Sequence, residues 1–288
     1  MIQGSIVAIV TPMLPNGDID FEAFDRLLEW HIESGTDAVV VVGTTGESPT
    51  LTMEEHCAVI ARAVKTVAGR IPVIAGTGSN STTEAIYYTH AAKEEGADAC
   101  LLVTPYYNKP PQEGLYQHFK KIAEEVDIPQ ILYNVPSRTG CDLLPETVSR
   151  LADIKNIVGI KEATGDLDRG QQVISLCGDR IAIYSGDDAT ALDLILAGGK
   201  GNISVTANVA AKLCSEFQEA ALSKNNSNLL AKAKQINDKL LPLHKSLFIE
   251  SSPSPVKYAA SLLNLSSDDV RLPLVKVTEE TKKIIKSA

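Results

Sequence analysis

Lys161 follows a run of apolar residues, a position where a charged side chain is rare. This position predicts that the lysine reacts with a carbonyl group. Lys161 ends the apolar run 157–160, which we expect to be buried in a sheet. A buried lysine either pairs with a carboxylate or loses its charge through desolvation. The neutral amine attacks ketones and aldehydes and forms Schiff bases. An ion pair with Glu162 is the structural alternative, which strand geometry opposes because adjacent strand residues point to opposite faces.

Four further polar residues follow other apolar runs and could join such chemistry. The hydroxyl of Tyr133 could carry protons during imine formation, although a core tyrosine is the structural alternative. Thr44 and Thr45 lie in a glycine-flanked turn, which either presents N–H groups to a carboxylate or is an ordinary turn. Arg138 follows in a predicted loop, where its guanidinium either grips a carboxylate or is only solvated.

The candidate residues must be held in place by regular secondary structure. Up to about residue 222, short apolar runs alternate with helical patterns. The runs are continuous, which is typical of parallel strands buried on both faces. A βα unit repeated about eight times predicts a (β/α)8 TIM barrel, whose active site lies at the C-terminal strand ends. A doubly wound open sheet is the alternative. The predicted strands are 6–10, 38–42, 73–75, 99–103, 130–133, 157–161, 181–185 and 202–205.

Helix signals support this pattern and then change near the C-terminus. Asp20 can cap a helix over 21–34, while Thr52 with Glu55 and Ser81 with Glu84 have the spacing of capping boxes. After a polar break, helical periodicity covers 229–247, 255–263 and 278–287. We therefore predict a barrel over 1–222 and a C-terminal helical region, 223–288, packed on it.

Charge and composition limit the partners and the location. With 27 Lys and Arg against 36 Asp and Glu, the net charge is −9 and no basic run occurs, so we expect neither nucleic-acid nor membrane binding. No N-terminal secretion signal and no apolar run of about 20 residues is found. Five widely spaced cysteines, none in a CxxC pair, indicate a reducing cytoplasm.

Metal and phosphate sites are not favoured. All five histidines fall in predicted helices, and neither HxH nor HExxH occurs, so we expect no metal and no zinc-dependent aldolase mechanism. The run 76–81 precedes a helix, as phosphate-binding loops do. It lacks an accompanying basic residue, and we do not expect phosphate or pyridoxal phosphate to bind there.

The residues that carry this chemistry lie in motifs that resemble the dihydrodipicolinate synthase family. The similarity runs from Gly4 to Pro273, and its most specific stretches are 43–47 (GTTGE), 103–108 (VTPYYN), 133–140 (YNVPSRTG) and 159–164 (GIKEAT). The resemblance implies a lyase of lysine and diaminopimelate biosynthesis. Its reaction would condense pyruvate with L-aspartate 4-semialdehyde to 4-hydroxy-tetrahydrodipicolinate, with no cofactor beyond a covalent imine of pyruvate on Lys161.

The resemblance also implies the roles of individual residues. Lys161 would attack the pyruvate ketone, with Tyr133 as proton donor and acceptor. Thr44 and Tyr107 would complete a proton relay. In this family the tyrosine matching Tyr107 comes from a neighbouring subunit, so the resemblance implies a homo-oligomer, expected to be a tetramer built as a dimer of dimers.

Three further positions would bind the substrates. Thr45 would hold the pyruvate carboxylate, and the backbone at Ile203 would line the same pocket. Arg138 would bind the carboxylate of the aldehyde substrate.

Some family members are inhibited by lysine at a dimer interface. Two differences from lysine-sensitive relatives, Met53 and Pro49, predict retained but weakened inhibition, and an interface without regulation is the alternative. The residues matching the lysine site are Ser48, His56, Asn80, Glu84 and Tyr106.

Two other functions remain open from the residues. Another pyruvate-dependent aldolase, such as N-acetylneuraminate lyase, shares the lysine and tyrosine but needs groups that bind a polyol. Arg138 within the run 137–140 favours a short acidic aldehyde instead. A non-catalytic paralogue is opposed by the intact set of Lys161, Tyr133 and Thr44.

Overall fold

A closed barrel of eight parallel strands forms the centre of the molecule. The computed structural model describes residues 2–288, and each strand pairs with the next while β8 pairs with β1. The (β/α)8 prediction is confirmed, and the open-sheet alternative is wrong because β1 and β8 leave no free edge. The strands are β1 (Gly4–Ala8), β2 (Ala38–Val41), β3 (Val73–Gly76), β4 (Ala99–Val103), β5 (Gln130–Asn134), β6 (Ile157–Glu162), β7 (Ala182–Ser185) and β8 (Gly201–Ser204).

The seam of the barrel explains why β1 begins two residues earlier than predicted. Gly4 is paired with Gly201 across the seam, and both have positive φ, 98° and 156°. A Cβ on Gly201 would lie 2.3 Å from the carbonyl oxygen of Gly4. Two glycines therefore let the first and last strands approach closely enough to close the sheet.

Helices surround the barrel, and most end signals predicted from the sequence are present. Asp20 accepts from Ala23 N, and Thr52 with Glu55 forms a capping box. The helices are α1 (Phe21–Glu33), α2 (Met53–Val67), α3 (Thr82–Glu94), α4 (Gln112–Glu125), α5 (Pro136–Thr139), α6 (Pro145–Leu151), α7 (Leu167–Cys177), α8 (Ala191–Ala197), α9 (Ala207–Leu222), α10 (Ser227–Ser246), α11 (Ser254–Leu262) and α12 (Glu279–Ser287).

The second predicted capping box, at the start of α3, is only half formed. Ser81 Oγ accepts from Glu84 N, as predicted. The carboxylate of Glu84 accepts instead from the hydroxyl of Ser79, which also accepts from Ser81 N. The capping box is therefore wrong here, because a nearer hydroxyl competes for the carboxylate and supplies the backbone N–H with a different acceptor.

Two apolar layers hold the barrel, one inside it and one between strands and helices. Alternate strand residues point inward, among them Ile6, Ile74 and Ile203. Tyr184 fills the interior over Gly159, where a Cβ would lie 2.9 Å from the tyrosine ring, and its hydroxyl donates to Ile2 O at 2.7 Å. This tyrosine closes the lower barrel and leaves side chains free to converge at the C-terminal strand ends.

The C-terminal helices pack against the end of the barrel chain and against each other. α10 packs on α9, while α11 contacts both α9 and α12. The predicted helical stretches correspond to α10, α11 and α12, and the division at 222/223 stays a prediction. Across residues 2–288, no helix combines the length and the apolar character needed to span a membrane.

Candidate active site

Lys161 and Tyr133 meet at the C-terminal ends of β5 and β6. The two residues are register partners, and both are buried. Lys161 Nζ lies 4.4 Å from the centroid of the Tyr133 ring. This contact places the amine beside the aromatic face of Tyr133, at the C-terminal end of the barrel.

Glu162 lies on the other face of β6, away from the amine. Its carboxylate accepts from Asn134 Nδ2 at 3.2 Å and from Thr164 N at 2.8 Å. Burial raises the pKa of this carboxyl, against the lowering effect of those hydrogen bonds. The alternative in which Glu162 neutralises Lys161 is therefore wrong, for the reason of strand alternation.

A glycine at the end of the neighbouring strand gives the lysine its space. A Cβ on Gly186 would lie 2.8 Å from Lys161 Cε and 3.0 Å from Cγ, and only 2.5 Å from Ala163 Cβ. Real Cβ atoms do not approach this closely, so the lysine side chain passes over a position where only glycine fits. Sequence reasoning did not identify this residue as part of the site.

The threonine pair lies on a tight turn after β2. Gly46 N donates to Gly43 O at 3.1 Å, and Glu47 N donates to Thr44 O at 3.2 Å. Thr45 is buried and Thr44 half-buried. The turn ends at Glu47, whose φ of +58° is unusual for a residue with a side chain.

Tyr107 does not enter the barrel of its own chain. Its side chain is 89 % exposed and its φ is +74°. The strained backbone is held by Tyr107 N, which donates to Thr139 O at 3.1 Å. The backbone of Tyr107 is thus held in a conformation that is rare for a bulky residue, and its side chain points away from the barrel.

Arg138 and Ile203 have opposite surroundings. Arg138 is exposed on α5, a one-turn helix, whereas a loop was predicted. The turn forms because Val135 O accepts from both Arg138 N and Thr139 N, and Gly140 ends it with a φ of +73°. Ile203 is buried inside the barrel on β8.

The residues matched to a lysine site cluster beside the threonine turn. His56 is buried, its Nε2 lies 2.8 Å from Gly76 O, and burial lowers its pKa. Asn80 Nδ2 donates to Tyr106 O at 3.1 Å, which joins the α3 side of the cluster to the loop after β4. The Glu84 carboxylate accepts from the Ser79 hydroxyl at the start of α3. Ser48 begins the short 3₁₀ helix Ser48–Thr50.

Two residues from the C-terminal part of the chain reach the threonine turn, and sequence reasoning missed both. Lys257 Nζ donates to Glu47 Oε1 at 2.6 Å, and neither side chain is exposed. Arg271 N donates to the other oxygen of Glu47 at 3.0 Å. Local sequence patterns do not indicate these contacts, because the partners are more than two hundred residues apart.

A buried lysine and tyrosine at the C-terminal strand ends of a (β/α)8 barrel define a lyase of the class I aldolase type. The chain belongs to the dihydrodipicolinate synthetase family, whose family model matches residues 1–288.

Relatives of known function and structure agree with this membership. The chain is 61% identical over 274 residues to 4-hydroxy-tetrahydrodipicolinate synthase of Ectopseudomonas mendocina, covering 95% of this chain and 92% of the relative. It resembles the chloride-inhibited dihydrodipicolinate synthase of Acinetobacter baumannii in complex with pyruvate, with a TM-score of 0.97, 55% identity and coverage of 100% and 97%. A lysine-bound dihydrodipicolinate synthase of Cyanidioschyzon merolae has a TM-score of 0.95 at 38% identity, with coverage of 99% and 96%.

Proposed function

We propose that the chain condenses pyruvate with L-aspartate 4-semialdehyde to 4-hydroxy-tetrahydrodipicolinate through an imine on Lys161. The observation that carries the proposal is the contact of Lys161 Nζ with the Tyr133 ring, 4.4 Å from its centroid, at the top of a closed barrel. Relatives that are 61% and 57% identical to this chain have this activity by name. No cofactor is required, because the lysine itself supplies the electron sink once it has formed the imine.

Lys161 acts first as the nucleophile that forms the imine and last as the leaving group. The amine attacks C2 of pyruvate, the carbinolamine loses water with proton transfers through Tyr133, and the resulting imine makes the C3 protons acidic. Loss of one proton gives an enamine, whose C3 attacks the aldehyde carbon. The amino group of the second substrate then attacks the imine carbon, which closes the ring and releases Lys161.

Two carboxylate sites orient the substrates. The turn that carries Thr44 and Thr45 follows β2 at the C-terminal strand ends, and we assign Thr45 to the pyruvate carboxylate and Thr44 to the proton relay. The exposed guanidinium of Arg138 stands at the rim, where it can make two parallel hydrogen bonds to the carboxylate of the aldehyde substrate. The buried backbone of Ile203 completes the apolar wall.

The exposed Tyr107 supports an assembly in which subunits share their sites. A large aromatic side chain held outward by a strained backbone is suited to enter a neighbouring subunit, so we propose a homo-oligomer, a dimer of dimers, in which Tyr107 completes the relay of Thr44 and Tyr133 in the partner.

Lysine feedback is the regulation that we propose for the cluster of Ser48, His56, Asn80, Glu84 and Tyr106. The Glu84 carboxylate can pair with an ammonium group, and the amide of Asn80 can donate to a carboxylate. Met53 and Pro49 are both exposed beside the cluster, and we expect them to weaken the affinity. Activity that is unchanged at millimolar lysine would refute this regulation.

We also propose a cytoplasmic location. All five cysteines of the chain lie within the described residues, they form no disulfide, and four of them are buried. Unpaired thiols of this kind are typical of a reducing compartment.

Borohydride reduction in the presence of pyruvate tests the proposed function. We expect inactivation that needs both reagents and a pyruvate-derived adduct on Lys161 in the peptide map. Lys161→Ala is the matched control and should give neither. An adduct on another lysine, or cleavage of N-acetylneuraminate without condensation of aspartate semialdehyde, contradicts the proposal.

A further inference from the structure

We infer that the C-terminal region positions the pyruvate-binding turn through the buried pair Lys257–Glu47 and the backbone of Arg271. The inference rests on the proposed function, because it assigns a positioning role to residues behind the turn of Thr44 and Thr45. We call this contact the C-terminal latch, meaning Lys257, Arg271, Glu47 and Thr11.

Lys257 connects the end of the turn to the segment that follows β1. Lys257 Nζ donates to Glu47 Oε1 at 2.6 Å and to Thr11 O at 2.9 Å. Thr11 in turn donates from Oγ1 to Gly46 O at 2.7 Å. One buried ammonium group therefore fixes the last residue of the turn and the strand-end residue that supports the turn.

Arg271 extends the same contact to the far side of the turn. Its backbone N–H donates to Glu47 Oε2 at 3.0 Å, so both carboxylate oxygens of Glu47 are occupied. Its guanidinium donates to Thr50 O at 2.9 Å and to Glu55 Oε2 at 2.6 Å. Residues 47–55, from the end of the turn into the start of α2, are thus bound to the loop that carries Arg271.

The conformation of Glu47 shows why the turn needs such support. Its φ of +58° lies in the left-handed region, which costs free energy for a residue with a Cβ. Its carboxylate is fully buried, so only charged and N–H donors around it make burial acceptable. The latch supplies those donors, and the strained turn keeps the shape that presents Thr44 and Thr45.

Lys257 is not a second nucleophile for the ketone. Its side chain has no exposure, and Glu47 Oε1 and Thr11 O accept two of its three N–H donors. Burial lowers its pKa, while the charge of Glu47 opposes this shift. A group enclosed in this way can act on the reaction only through the residues that it holds.

The double variant Glu47→Gln with Lys257→Met tests the latch. Lys257→Met alone leaves a lone buried carboxylate and can prevent folding, whereas the double variant removes both charges and keeps a carbonyl for Arg271 N. We expect the pyruvate concentration for half-maximal borohydride trapping to rise about tenfold, the size of effect expected when one hydrogen bond to a charged group is lost. Trapping at saturating pyruvate should still occur on Lys161.

Val256→Ala is the matched control, because it truncates a fully buried neighbour on the same helix without touching Glu47. We expect it to lower thermal stability while half-maximal trapping stays within about twofold of the unchanged protein. The inference is overturned if the double variant also stays within that range, or if trapping follows thermal stability in all variants. A starting protein that traps no pyruvate refutes the proposed function instead.

Discussion

The space around Lys161 is set by a missing side chain. Gly186 follows β7 and lies against the aliphatic part of the lysine, while Tyr184 on the same strand closes the barrel below it. The amine is thus confined to the upper barrel, on the side where Tyr133 stands. Such confinement matters because a nucleophile that samples few conformations loses little entropy on reaching the ketone.

Gly186→Ala should inactivate the protein while it stays folded. The added Cβ would lie 2.8 Å from Lys161 Cε and would displace the amine. We expect kcat/KM for pyruvate to fall about a hundredfold, the effect of a misplaced reacting group. Steady-state kinetics together with borohydride trapping give the measurement.

Gly69→Ala provides the comparison for Gly186→Ala. Gly69 has a φ of +73° and nothing within 4 Å of an added Cβ, so this change strains the backbone far from the lysine. It should lower stability by about 1 kcal/mol and leave kcat/KM unchanged. Normal activity in Gly186→Ala would show that Lys161 does not depend on the glycine.

Among the elements, α1 carries a buried histidine that makes stability depend on pH. His31 lies in the last turn of α1, and its Nδ1 is 3.0 Å from Thr36 Oγ1. Burial lowers its pKa from 6.5 to about 3, although the C-terminal end of a helix favours a positive charge. In the unfolded chain His31 is therefore protonated below about pH 6.5, whereas in the folded chain it is protonated only below about pH 3.

His31→Gln should remove this part of the pH dependence. The folded pKa is depressed, so the full stability exists above pH 6.5 and is lost as the pH falls. When the pH is lowered from 7 to 5, both proteins lose unfolding free energy. We expect the loss to be about 2 kcal/mol smaller in the variant than in the unchanged protein. Urea unfolding at both pH values measures this difference. His90 is exposed, and His90→Gln is the control: its unfolding free energy should change with pH as in the unchanged protein. If His31→Gln shows the same pH dependence as the unchanged protein, the assignment to His31 is contradicted.

The elements also show how far the sequence alone could lead. Continuous apolar runs predicted all eight strands to within two residues, because strands buried on both faces tolerate few polar residues. The position of Lys161 followed from the end of one such run. At α3 the Ser81 cap was predicted correctly, but the return bond from Ser81 N to Glu84 was predicted wrongly because the Ser79 hydroxyl bonds to both groups. Arg138 lies on a single helical turn that carries no periodic signal.

At the scale of the whole molecule, the sequence could not reveal which distant segments meet. Lys257 and Arg271 carry no motif that links them to the threonine turn. Their contacts with Glu47 span 210 and 224 residues, so they depend on how the C-terminal helices pack on the closed barrel. The spacing of residues along the chain predicts which of them share a face of one helix or strand, and it does not predict such distant contacts.

Mixing two inactive variants tests whether sites are shared between subunits. Lys161→Ala and Tyr107→Ala chains, unfolded together and refolded, should regain about a quarter of the original activity, because half of the dimers are mixed and one site of each is intact. The activity of the refolded mixture is the measurement.

Lys161→Ala mixed with Tyr133→Phe is the control for shared sites. Lys161 and Tyr133 are register partners of one chain, so no mixed dimer contains an intact pair and no activity should return. Equal recovery in both mixtures, or none in either, would argue against a Tyr107 that crosses between subunits.

The long separation within the C-terminal latch also fixes an order of assembly. A ribosome releases Glu47 early, but its cationic partner follows 210 residues later. Until then the Glu47 carboxylate has no counter-charge from Lys257, and closing the contact requires the two ends of a very long loop to meet. A nascent or truncated chain that stops before Lys257 therefore lacks the buried cation that holds the end of the threonine turn.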